Sequence, residues 1–250
     1  MISGALVQTA DASVLPEMNE AAAELMRRGL AVERFQAEHL LRRQVKLAGE
    51  VLVVGEVPVV ESALEQLGVE PPAETCYPEC LRSFLHRRVW PSTIASLTGA
   101  LRSGSVSECF VKPRGRIKVF TGRMVDGSDV GALQRHAGST PVWCSELVSF
   151  RSEHRAFVIG GAVRALCQYA GEPDQPDADI IRACVETWTR HGDAAAGFAI
   201  DFGVLRDGQT ALVEVNDGYS LGTYGCPPAT VVDLLIARWE ELVTRSAASR

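Results

Sequence analysis

The residues best suited to chemistry lie between 199 and 216, in the run Ala-Ile-Asp-Phe-Gly-Val-Leu-Arg-Asp-Gly-Gln-Thr-Ala-Leu-Val-Glu-Val-Asn. Asp207-Gly208 between two apolar stretches is a hairpin signal, because both central positions of the favoured two-residue turn want φ > 0. If that turn sets the register, Arg206 pairs with Gln209 and Asp201 lies directly opposite Glu214. Side chains alternate with a period of two, so Asn216 joins Glu214 on one face. Carboxylates facing each other across a ladder sit about 5 Å apart and repel, and a cation between them relieves the repulsion. Oxygen donors from Asp, Glu and Asn suit a hard ion, Mg2+ or Mn2+, of the kind shared with substrate phosphates. Asp201, Glu214 and Asn216 are therefore the candidate metal ligands. The competing reading is a solvated hairpin edge, against which Ile200, Val213 and Val215 argue for a buried opposite face. Register decides between them, since one slipped residue would separate the carboxylates.

A second chemical cluster is Phe110-Val-Lys-Pro-Arg-Gly-Arg-Ile-Lys-Val-Phe-Thr-Gly122. It sets Lys112 at the end of a strand, then a cationic glycine-containing loop, then Lys118 on a second strand. Convergent cations on mobile backbone are what a polyphosphate clamp needs. Taken alone, lysines around a hairpin turn are ordinary solvated charges.

The elements that must position these groups follow from periodicity. Strands are expected at 4–9, 31–35 and 50–54, with helices from Glu17 to Gly29 and over Val60–Leu67, an alternation that describes a small α/β unit. The stretch 78–101 reads as helical or irregular. From Glu108 the texture turns to strands: 109–112, 118–121, 142–150, 155–159 and 163–169, the last two joined at Gly160-Gly161. A helix over 177–191 stops at Gly192, and a last helix covers 230–244.

The chain has 250 residues, with 46% hydrophobic and 22% charged residues, the balance of an ordinary globular protein. A formal net charge of −6 argues against a general nucleic-acid binder, which carries a basic face. No apolar run approaches the roughly 20 residues that cross a bilayer, and no export signal is read at the start, so a cytoplasmic location is expected. Seven cysteines, an odd number without zinc-site spacing, are expected to be reduced thiols; Cys76 and Cys80 lack a second pair.

Together these pieces resemble the ATP-grasp superfamily, over about residues 85–240. The wording Ser152-Glu-His-Arg-Ala-Phe-Val158 and Glu214-Val-Asn-Asp-Gly-Tyr-Ser-Leu-Gly222 is most similar to the branch named for its two arginines and one lysine. The resemblance implies an α+β fold with a small N-terminal α/β unit at 1–90 and an ATP-grasp domain at 91–250, divided into 91–147 and 148–250. It implies that Lys112 touches nucleotide phosphates, that Glu146 and the backbone near Leu147 and Val148 meet adenine, and that Glu153 holds the ribose. Asp201, Glu214 and Asn216 match the magnesium triad. Where many relatives carry an arginine two residues before the first metal aspartate, this chain has Ala199; Arg155 is the candidate replacement and Arg151 the second choice. A further phosphate lysine is replaced by Arg87 or Arg88, with Arg88 preferred; Arg155 and Lys118 are the candidate catalytic cations.

The activity implied is an ATP- and Mg2+-dependent ligase that turns a carboxylate into an acyl phosphate for capture by an amine, an amino acid or peptide among the candidates. A kinase or other phosphotransferase on the same fold, and a non-catalytic nucleotide-binding module, are the alternatives. Asp217, Tyr219 and Ser220, just past the triad, are candidate contacts to the nucleophile.

Overall fold

Apolar runs bounded by glycine and charge form the first layer of the structure, a computed structural model that describes residues 1–9, 16–115 and 119–248. Strands β1 (Gly4–Thr9), β2 (Ala31–Gln36) and β3 (Val51–Val54) alternate with helices α1 (Pro16–Arg27), α2 (Ala37–Leu41) and α3 (Val57–Gln66). The strands pair in parallel in the order β2-β1-β3, and β1 is buried at five of six positions, as a strand covered on both faces must be.

After a 3-10 turn at Glu79–Phe84 come β4 (Val89–Thr93), α4 (Ile94–Ser103), β5 (Glu108–Pro113), β6 (Arg123–Asp126), α5 (Val130–Leu133) and β7 (Pro141–Ser145). These make an antiparallel sheet in the order β4-β7-β5-β6. The helical or irregular expectation for 78–101 missed β4, whose Pro91 is tolerated because the strand lies at a sheet edge. Thr93 then caps α4, its Oγ1 accepting from the Ser96 amide, and Gly104 closes the helix at φ 73°. A strand was expected at 118–121; residues 119–121 are irregular, and the partner of β5 is β6, further along. Lys118 itself lies outside the described residues.

The third sheet holds β8 (Phe150–Ile159), β9 (Ala162–Gly171), β10 (Gly197–Leu205) and β11 (Thr210–Asp217) in the antiparallel order β11-β10-β8-β9, with α6 (Ala178–His191) and α7 (Pro228–Ala248) beside it. The run 142–150, expected as one strand, is broken at 146–149 between β7 and β8. Gly160 and Gly161 both take positive φ, 57° and 77°, which the right-handed strand twist favours in a two-residue hairpin.

One face of this sheet packs Ala156, Val158, Ile200 and Phe202 against Ile181, Val185 and Trp188 of α6. On the other, Phe157 joins a core shared by the N-terminal unit and α7. Helix α7 is pinned to that unit by Trp239, whose indole N–H donates to the Gly49 carbonyl at 2.9 Å, and by Arg28, which donates to Asp233. Further along the Phe157 face, β8 and β10 carry the polar residues Glu153, Arg155 and Asp201.

His154 is 1% exposed on the α6 side, and neither ring nitrogen has a hydrogen-bond partner among the described residues. Burial holds its pKa below the ordinary value, with Asp174 opposing weakly. The unfolded chain takes the proton near pH 6.5 and the folded one only lower, so His154 removes stability as pH falls below about 6.5, by at most about 1.4 kcal/mol one unit down. His154→Leu is therefore expected to flatten the fall in melting temperature between pH 7.5 and 5.5. Equal slopes in the two proteins would mean that the folded state accommodates the imidazolium.

Candidate functional site

The hairpin brings Asp201 opposite Glu214 and Ala199 opposite Asn216, but by a different route from a two-residue turn. The Leu205 amide donates to the Gln209 carbonyl at 2.8 Å, leaving a three-residue loop with Gly208 at φ 87°. Val204 then pairs with Thr210, one residue out of the expected register. A bulge between Asp201 and Phe202, with Val213 as the extra residue, restores it. Two one-residue offsets cancel. Arg87 holds the bulge, donating from Nη1 to the Leu212 carbonyl at 2.7 Å and from Nη2 to the Val213 carbonyl at 2.9 Å.

Asp201 is 2% exposed and Arg155, opposite it on β8, is 6% exposed. Arg155 Nε donates to Asp201 Oδ1 at 2.8 Å and Nη2 to Oδ2 at 2.7 Å, a parallel two-point contact. Its Nη1 donates to the Gly222 carbonyl at 3.0 Å, and the guanidinium lies 4.8 Å from the Tyr224 ring centre. Asn216 Nδ2 donates to Asp201 Oδ2 at 3.2 Å. Burial pushes the Asp201 carboxyl above its ordinary range, Arg155 pulls it back, and Glu214 and Glu153 add repulsion. Arg155 therefore acts on Asp201 itself.

Glu214 faces the second cation. Lys112 Nζ sits 2.5 Å from Glu214 Oε2 and 4.8 Å from the centre of the Tyr77 ring. Burial lowers the Lys112 pKa, but Glu214, with Cys76 and Tyr77 adding to it, holds the ammonium above its ordinary value. Tyr77 in turn packs edge-on against Trp143 at 5.2 Å. Its neighbour Cys76 accepts from the Val215 amide through its carbonyl at 2.9 Å, and Glu74 accepts from the Gly115 amide. Sequence reasoning missed this 74–77 strap, because isolated residues in irregular chain carry no periodic signal. It missed Tyr169 and Tyr224 too, which stack at 4.7 Å.

Glu153 accepts from the Tyr169 hydroxyl at 3.0 Å and shares the polar face with Arg155. Burial, with Asp201 and Glu153 nearby, pushes the Tyr169 phenol up. Glu146 lies at the end of β7, where Oε2 accepts from the Arg88 amide at 2.9 Å, and its own amide donates to the Arg88 carbonyl at 3.0 Å. Arg88 thus joins the link that carries half-buried Leu147 and Val148, with its guanidinium 4.6 Å from the Trp90 ring centre. Of the two arginines, Arg87 is the one on the carboxylate side: burial lowers its pKa, while Tyr77, Glu214 and Glu153 oppose that.

The three residues offered as nucleophile contacts are otherwise engaged. Asp217 receives two bonds from Arg238, at 2.7 and 2.6 Å, the Tyr219 hydroxyl donates to Glu61 at 2.9 Å, and Ser220 donates to the Gly55 carbonyl at 2.8 Å. They stitch the loop after β11 to the rest of the molecule.

Among the described residues no three His, Cys, Asp or Glu side chains gather as a metal cage. The donor set is instead two carboxylates and the Asn216 amide, one cation already against each carboxylate. That chemistry fits a hard ion that shares its shell with phosphate oxygens, which needs few protein ligands.

Residues 84–234 match a family model described as an ATP-grasp domain, family 2 of its clade. The structure is similar to D-cycloserine synthetase DcsG, with a TM-score of 0.61 and 14% identity over 96% of this chain and all of that one. It is also similar to D-alanine–D-alanine ligase from Bacillus anthracis, at TM-score 0.60 and 12% identity over 99% of each chain. A RimK domain protein ATP-grasp from Sphaerobacter thermophilus DSM 20745 superposes at TM-score 0.55 and 13% identity, over 96% of this chain and all of that one. At these identities the likeness is one of fold. No curated protein matches the chain in sequence.

Proposed function

The chain belongs to the ATP-grasp family, and on that premise we propose that it is a ligase forming a carbon–nitrogen bond. A substrate carboxylate oxygen attacks the γ-phosphorus of ATP, giving an acyl phosphate and ADP. An amine nitrogen then attacks the acyl carbon, inorganic phosphate leaves with the bonding pair, and the nitrogen loses a proton. The observation that carries this reading is one sheet face presenting Asp201, Glu214 and Asn216 with Lys112 and Arg155 against the two carboxylates.

In this reading Asp201, Glu214 and Asn216 would hold Mg2+ or Mn2+, which would supply charge neutralisation for the phosphates of ATP. Arg155 keeps Asp201 ionised and in one orientation. Lys112 moves from Glu214 to the phosphate oxygens. Glu153, held by Tyr169, takes the ribose hydroxyls, and the 146–148 link meets adenine. Lys118, with Arg155, is the candidate catalytic cation for the charge that develops on the transferred phosphate. The 1–90 unit and the 91–250 domain divide the work between acceptor and nucleotide. No helix among the described residues is long and apolar enough to cross a membrane. A cytoplasmic location is part of the proposal.

The test is ADP release screened against amino acids, small acids and peptides, with products identified by mass spectrometry. An amide formed with one ADP supports the ligase. A stable phosphorylated product instead makes the protein a kinase, and no ADP with any substrate makes it a binding module. Lys112→Met is expected to raise the KM for ATP about tenfold, the loss of one charged hydrogen bond. It should also tighten Mn2+ binding in nucleotide-free protein, because Lys112 competes for Glu214. Unchanged values for both would remove Lys112 from the phosphate site.

A further inference from the structure

A cavity of about 270 Å³ lies where the N-terminal unit meets the loop that follows β11. One wall is Glu17 and Met18 of α1 with the Gly55-Glu56-Val57 junction of β3 and α3. The opposite wall is the 219–223 loop, and Val231, Leu234 and Leu235 of α7 form the floor. The position is the crevice outside the carboxyl end of a parallel strand, where open α/β sheets receive ligands.

Three hydrogen bonds fasten the two walls together. Tyr219 donates to Glu61 at 2.9 Å, Ser220 to the Gly55 carbonyl at 2.8 Å, and the Thr223 amide to Glu17 Oε1 at 3.2 Å. The cavity also abuts the carboxylate face directly. Gly222, which lines it, gives its carbonyl to Arg155, the partner of Asp201. A single peptide unit therefore separates the cavity from the group that orients the first metal ligand.

Its chemistry is lopsided. Apolar side chains dominate, two carboxylates (Glu17 and Glu56) stand among them, and no lysine or arginine is among the lining residues. Glu56 is held in place by Gln8, which is 4% exposed. Gln8 Nε2 donates to Glu56 Oε2 at 2.9 Å, and the Glu56 amide donates to Gln8 Oε1 at 2.8 Å. Gly55 is needed for that clasp, since a Cβ there would stand 2.7 Å from Gln8 Oε1. A carboxylate ligand would be repelled by such walls, whereas an ammonium on an apolar body is matched at both ends.

We propose that this cavity receives the amine substrate, a primary amine on an apolar body of about amino-acid size. Its ammonium lies at Glu17 and Glu56, and its apolar part lies against Met18, Val57 and Leu234. One of the two carboxylates takes the proton that the nitrogen must lose before it attacks the acyl carbon. The assignment rests on the ligase reading for the fate of the amine, but the binding it asserts is measurable without turnover.

The experiment is calorimetry on the nucleotide-free protein with leucinamide and, as a probe of the same body with opposite charge, isovalerate. Leucinamide is expected to bind saturably and isovalerate not to bind. Glu17→Gln keeps the acceptor for Thr223 and should weaken leucinamide about tenfold, as loss of one charged contact does. Glu56→Gln should weaken it less, because Glu56 is exposed. Val57→Trp, at an exposed position on the rim, should abolish binding, with the melting temperature and Mg-ADP affinity of each variant serving as controls of folding. Absence of leucinamide binding, equal binding of isovalerate, or binding untouched by Val57→Trp would each overturn the proposal. Failure of the wild-type protein to bind Mg-ADP would sink the ligase reading instead, and leave the amine site to stand or fall on leucinamide.

Discussion

Arg155→Ala should lower turnover by about a hundredfold or more and the melting temperature by roughly 10 °C, two effects with one origin. Arg155 is the buried two-point partner of Asp201, and removing one member of a buried ion pair costs about 3–5 kcal/mol because the other charge is stranded. In a chain of this length each kcal/mol shifts the midpoint by roughly 2–4 °C. Turnover should fall because an Asp201 without its clamp protonates or turns away from the position that the proposed metal site requires. Arg155→Lys keeps the charge but not the planar fork, so it should recover part of the stability and little of the rate. A variant that loses turnover yet melts like wild type would place Arg155 on the transferring phosphoryl group, as a catalytic cation and not as the clamp of Asp201.

Glu214→Gln should cut kcat a hundredfold to a thousandfold, about 3–4 kcal/mol of barrier, while nucleotide-free protein stays folded. Cross-strand repulsion with Asp201, taken alone, would let stability rise when the charge is removed. Lys112 reverses that sign. With side-chain exposures of 15% and 25%, Lys112 and Glu214 form a half-buried pair, and losing it is expected to cost about 1 kcal/mol. Thermal melts with and without Mn2+ check this: the ion should stabilise wild type and stabilise the variant much less. Equal stabilisation of both, with activity retained, would remove Glu214 from the metal site.

Local signals reached the elements around the site because each rests on neighbours in the chain. The helix stop at Gly192, the Gly160-Gly161 turn and the buried runs of β1 and β10 all follow from backbone preferences or periodicity. Strand β4 escaped for the complementary reason. Pro91 argues against a strand until the sheet order shows that it lies on an edge. The 74–77 strap and the clasp of Gln8 on Glu56 are contacts between residues distant in the chain, so no spacing announces them.

The sequence by itself determined the donor types, two carboxylates and an amide on paired strands, because hydrophobic alternation and the Asp-Gly turn restrict where each side chain can point. It also set the strand-end lysine and, through those motifs, the family. The tertiary structure alone decided how the charges are satisfied. A turn one residue longer and a bulge clasped by Arg87 cancel to bring Asp201 against Glu214. Arg155 is bound to Asp201 and Lys112 to Glu214, because burial makes an uncompensated charge costly and each strand pairing leaves one cation within reach. Loop residues that the sequence offered to a nucleophile are spent on fastening the 219–223 segment to the N-terminal unit, and that fastening creates the cavity. Such partners follow from packing distance in three dimensions, which separation along the chain does not encode.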